Sequence, residues 1–109
     1  MKTKDELELE YLSLKQKYGK VYELEVPLDE DDSTKVATLF LKKADRTVIS
    51  IVSKLIDIST DKAIEAGLKN LYVGGDDLSL VLNNDDAFLS CEAGLVQIIR
   101  KQQAVLKKK

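Results

Sequence analysis

The sequence predicts an α+β domain in the order α-β-β-α-α-α, with an N-terminal helix, a two-stranded antiparallel hairpin and a three-helix, bundle-like C-terminal half. Three observations carry that expectation. Apolar residues at the three-and-four spacing of a helical face recur in Phe88, Cys91, Leu95, Ile98, Ile99, Gln102, Val105 and Leu106. The period changes to two between Lys20 and Val26. Each helical stretch also opens on a residue suited to capping: Thr3, Asp45, Ser59 or Thr60, and the Asn84-Asp85-Asp86 run.

In chain order, Thr3 and Glu6 have the spacing of a capping box. Leu7, Tyr11, Leu14 and Tyr18 then mark one helical face, which Gly19 can end in the left-handed conformation. Leu9 and Leu12 fall outside that stripe and are the candidate residues for self-association or partner binding. In the hairpin, residues 20–42, Tyr22, Leu24 and Val26 share one side and Val21, Glu23 and Glu25 the other, and Pro27 ends the first strand. The second strand, Lys35 to Leu41, is nearly continuous in apolarity, as a well-covered strand should be. A hairpin alone is marginal in water, so helices must cover a face of it.

The helical half spans residues 45–107. Asp45 caps a helix to about Ile58 with Val48, Ile49, Val52, Leu55 and Ile56 as its stripe. A second helix buries Ile64, Leu68, Leu71 and Tyr72 and stops at Gly74-Gly75. Leu78, Leu80 and Leu82 alternate like a strand, but residues 76–83 are short enough to read as a loop or turn. The last helix ends among Lys107, Lys108 and Lys109, at the negative end of its dipole. The expected core contains Leu24, Val26, Leu39, Val52, Leu55, Leu68, Phe88, Leu95 and Ile98.

With 109 residues the chain reads as a single domain, 1–109, able to bury roughly two-thirds of its unfolded surface without staples. Hydrophobic residues at 44% and charged residues at 33% are the balance of a globular chain rather than a disordered one. A formal charge of −2 gives no general attraction to nucleic acid. No apolar run approaches the roughly 18 residues of a membrane span. One cysteine and no apolar leader point to the cytoplasm.

The histidine count is zero, which removes the commonest proton-transfer side chain near neutrality and the commonest metal ligand. Cys91 lacks a histidine to activate it and reads as a small hydrophobe. Asp29-Glu30-Asp31-Asp32, Asp76-Asp77 and Asp85-Asp86 lack the alternating ligand spacing of a calcium loop and read as solvated turns and helix caps. Gly74-Gly75 precedes aspartates rather than a Lys-Ser/Thr pair, so it is not a phosphate cradle. The four tyrosines are not interleaved with a basic stripe. The expectation is therefore of no catalytic, cofactor or metal site.

From Gly19 to Lys108 the features follow a more particular order. Tyr18-Gly19-Lys20-Val21-Tyr22 opens a strand, and a second strand ends in Phe40-Leu41-Lys42-Lys43-Ala44-Asp45-Arg46. Leu71-Tyr72-Val73-Gly74-Gly75-Asp76-Asp77 closes a helix pair, Asn84-Asp85-Asp86-Ala87-Phe88-Leu89 opens the last helix, and Ile98-Ile99-Arg100-Lys101-Gln102 follows. This order resembles the small tail-assembly-chaperone-like proteins of tailed phages and prophages. The sequence departs from them in having Ala44 in place of a proline, and Leu71-Tyr72 where a cysteine and an aromatic residue often stand. The resemblance implies a non-enzymatic protein that holds a long, helical tape-measure chain until the tail tube forms around it, in the host cytoplasm. Two other roles follow from the same apolar helix faces: a structural or packaged virion adaptor, and a cytoplasmic regulatory protein-binding module.

Overall fold

A computed structural model describes residues 1–100 and 106–108. Its elements are α1 (Lys4–Tyr18), β1 (Val21–Pro27), β2 (Val36–Lys42), α2 (Arg46–Ile56), α3 (Thr60–Leu71), β3 (Tyr72–Gly75), α4 (Ser79–Leu82) and α5 (Asp85–Arg100). The fold is α+β, as the periodicities imply.

Helix starts follow the capping residues. Thr3 and Glu6 form the reciprocal capping box of α1, Asp45 accepts from the Val48 N–H, Ser59 accepts from the Lys62 N–H, and Asn84 accepts from the Ala87 N–H. Each satisfies an orphan donor of a first helical turn, worth about 1 kcal/mol relative to alanine. Asn84 also donates its amide to the Leu28 carbonyl at 2.9 Å, so the start of α5 is tied to the connection between the first two strands.

The strands form one antiparallel sheet in the order β1-β2-β3, one strand more than a simple hairpin. Residues 72–75 leave the expected helix because Leu71 closes α3, and the chain turns back along β2 with Leu39 opposite Gly75 and Phe40 opposite Gly74. Glycine is what allows so close an approach. Gly75 has φ +99°, and a Cβ there would overlap the Thr38 carbonyl oxygen.

Register places Tyr22 opposite Leu41, Leu24 opposite Leu39, and Val26 opposite Ala37, so these six residues share one face of the sheet. That face meets α3 and α5, and α2 packs on α3. The largest wholly buried side chains are Phe40, Leu39, Leu41, Leu68, Leu71, Val26, Val81 and Cys91, each leucine contributing roughly 1.5–3 kcal/mol by burial. Of the nine expected core residues, Val26, Leu39, Val52, Leu68 and Leu95 are buried, whereas Leu24, Leu55, Phe88 and Ile98 pack half-buried around them.

Phe40 points to the other face, where the Tyr11 ring of α1 meets it at 5.8 Å. Helix α1 covers this second face, chiefly over β3, with Leu7, Glu10, Tyr11 and Leu14 half-buried and none of its residues fully buried. Tyr18, expected in the same stripe, is exposed.

Other expectations change in detail. Gly19 takes φ +80° and ψ −68°, with the Lys20 N–H donating to the Tyr18 carbonyl at 3.0 Å. That is a classic γ-turn rather than a left-handed cap, because β1 starts two residues later and leaves room for nothing longer. Residues 76–83 contain the single turn α4, in which Val81 is buried, Leu82 is half-buried and Leu80 is exposed, and Leu78, which precedes it, is half-buried. Helical spacing, not alternation, therefore selects the inward residues. Helix α2 stops at Ile56, leaving Ile58 exposed in the turn to α3. Leu106, expected on the buried face of the last helix, is wholly exposed and non-helical, and Gln102 and Val105 lie outside the described residues. No helix among the described residues is long and apolar enough to cross a membrane.

Candidate functional site

Three helices meet along a cleft on the side of the helical layer. Asp45 and Ser59 start α2 and α3 so that the two run as a short-linked pair, and α5 lies against α3. The cleft between them has a volume of about 280 Å³. Val52 and Ile56 come from α2, Ala63 and Ile64 from α3, and Leu95, Val96 and Ile99 from α5. Asp57 and Glu92 are its charged groups, and Ser53 and Thr60 supply hydroxyls. Ile58, 77% exposed, follows Asp57 directly in the α2–α3 turn. A slot between helices that mixes seven aliphatic side chains with two carboxylates and two hydroxyls can take an amphipathic segment of another helix.

A second apolar feature is the outward side of α1. Leu9 and Leu12 are 70% and 53% exposed, opposite the residues that meet the sheet. The structure does not bring them near the cleft residues of α2, α3 and α5, because α1 lies across the sheet from those helices.

The acidic runs are accounted for locally, with one exception. Asp29 accepts from the Asp31 N–H, and Asp32 accepts from the Thr34 N–H and hydroxyl, which hold its carboxyl below the usual carboxylate range. Asp77 accepts from the Ser79 N–H and is lowered for the same reason. Asp85 and Asp86 stand in the first turn of α5, where the helix dipole favours negative charge.

The exception is Asp76, which is buried rather than solvated. One of its oxygens accepts from the Thr38 N–H and the other from the Lys2 N–H, both at 2.8 Å. Around it, Lys2 pairs with Glu10 at 2.6 Å, and the Tyr72 hydroxyl donates to the Asp76 carbonyl at 2.9 Å. Burial of the Tyr72 ring raises its hydroxyl above the ordinary tyrosine range. With both oxygens engaged by backbone donors, this carboxylate is a structural clasp joining the N-terminus to the end of β3. In sequence it cannot be told from its exposed neighbour Asp77, and the glycine pair before it is the local signal that a close strand approach precedes it.

Cys91 is wholly buried, and desolvation pushes its thiol up to about 11, which removes thiolate character at neutral pH. Among the described residues, no group of three or more His, Cys, Asp or Glu side chains is placed to hold a metal ion.

No family model matches the chain, and no curated protein or solved structure matches it significantly.

Proposed function

We propose that the chain is a non-enzymatic assembly factor of the phage tail-assembly-chaperone kind, holding an apolar helical segment of a tape-measure-type client. The observation that carries this reading is the cleft between α2, α3 and α5. Seven of its eleven lining residues are aliphatic, and exposed Ile58 directly follows its lining residue Asp57 in the chain. A helix presenting apolar residues at three-and-four spacing can seat them there, in the helix-in-groove mode.

The resemblance to tail-assembly-chaperone-like proteins rests on the order of short segments from Gly19 to Lys108, of which Phe40, Gly74 and Gly75 lie in the β2–β3 ladder and the others in β1 and at helix ends. Co-expression of the tagged chain with the products of the genes that neighbour its own tests the proposal. A long helical client should co-purify, and a photo-crosslinker replacing Ile58 should join to it. Recovery of only a small ligand or of DNA defeats the reading. Stoichiometric presence in mature particles replaces it with that of a virion component.

A further inference from the structure

The outward side of α1 carries a charge pattern that specifies its own partner. Two exposed leucines on a helix are ordinary in isolation. What distinguishes Leu9 and Leu12 is the arrangement beside them. At 3.6 residues per turn, Glu8 and Lys15 flank the leucines on one side, and Glu6 and Lys17 flank them on the other. On both sides the acid precedes the base along the helix. Neither Glu8 nor Lys15 takes part in the ion pairs seen among the described residues, which are Lys2–Glu10, Lys35–Asp29 and Lys69–Glu65.

We infer that α1 pairs antiparallel with α1 of a second copy of this chain, about a two-fold axis near Leu12. The two leucine pairs then meet at the centre. Glu8 of each copy faces Lys15 of the other, and Glu6 faces Lys17, every pair occurring twice by symmetry. A parallel pairing would set Glu8 beside Glu6 and Lys15 beside Lys17 of the other copy, which like-charge repulsion disfavours. The antiparallel sense also opposes the two helix dipoles favourably. Because a 15-residue helix is only about 22 Å long, the contact falls short of the roughly 1,000 Å² of a stable complex. The dimer is therefore weak and salt-sensitive.

Sedimentation velocity on the full chain, from about 10 μM to 1 mM, reads the association at about 20 mM and 500 mM salt, where screening differs several-fold. A monomer–dimer equilibrium weakened by salt is expected. Glu8→Lys and Lys15→Glu should each weaken it about tenfold, since each turns two attractive pairs into repulsive ones. The double swap E8K/K15E should restore it, because the antiparallel geometry re-forms both pairs with their signs exchanged. L12D should abolish it, with far-UV circular dichroism confirming that each variant is folded. A monomer at every concentration overturns the inference. So does an association that ignores the single swaps, or one that the double swap fails to rescue.

Discussion

Asp76 and Thr38 are joined twice: the Asp76 N–H donates to the Thr38 carbonyl at 2.8 Å, and the Asp76 carboxylate accepts from the Thr38 N–H at 2.8 Å. Backbone and side chain of one residue thus close both polar groups of the other at the end of the β2–β3 ladder. The second carboxylate oxygen takes the Lys2 N–H, which extends the same junction to the chain's start. Replacing Asp76 by alanine leaves the Thr38 N–H without its acceptor in a buried setting, at a cost of about 1–3 kcal/mol. Asparagine should not rescue it. Two N–H donors approach the two oxygens, so one of them would meet an NH₂ group instead. Urea unfolding of D76A and D76N checks both statements, and wild-type stability in D76N would contradict the clasp.

Beside that junction stands Gly75, whose positive φ and contact with the Thr38 carbonyl exclude any side chain. Gly75→Ala combines backbone strain with a steric overlap that rigid backbone cannot relieve, and should lose at least about 2 kcal/mol. Gly19 also has positive φ, but a Cβ there meets nothing within 4 Å. Gly19→Ala should therefore show strain alone, about 1–2 kcal/mol. A comparison of the two denaturation midpoints separates the steric part from the conformational part.

The caps of α1, α2, α3 and α5 and the two faces of β1 were legible because they depend on neighbours in sequence. Thr3 needs Glu6, Asp45 needs Val48, and Tyr22, Leu24 and Val26 need only alternation. The third strand was not legible. Four residues are too few to show a period, and Gly74-Gly75 serves a helix stop as well as a tight ladder. Asp76 was hidden for a related reason: nothing local separates it from exposed Asp77, and its partners Thr38 and Lys2 lie 38 and 74 residues away. The cleft joins α2, α3 and α5, so its walls can be named from three separate stripes, but their convergence comes from packing.

Cys91 gives a pH dependence with a definite sign. Burial pushes its thiol up to about 11 from an ordinary 9.0, so between those values the folded state keeps a proton that the unfolded state releases. Stability should be unaffected by this residue below pH 9 and should fall as pH rises from 9 to 11, by about 2 kcal/mol in all. Subtracting the same profile for Cys91→Ala isolates the effect from lysine and tyrosine titration. At pH 8 the native thiol should also resist alkylation that proceeds readily in denaturant.

Two helical glycines should answer alanine substitution in opposite ways. Alanine relieves about 1 kcal/mol of helix cost at either position. In α3, a Cβ on Gly67 would lie 3.2 and 3.3 Å from the two methyls of Leu95, which is 3% exposed and would have to shift both at once. In α5, a Cβ on Gly94 would press on one methyl of Leu24, at 2.6 Å, a tighter contact but with a half-buried side chain beside an open groove that Tyr22 and Ile98 also line. The end of Leu24 can rotate away, so propensity wins in α5 and packing wins in α3. Gly94→Ala should be neutral or stabilising by about 0.5 kcal/mol, and Gly67→Ala destabilising by about 1 kcal/mol. Thermal denaturation of the two variants decides it, and an inverted order would mean that the cleft wall near Leu95 yields more easily than the groove beside β1.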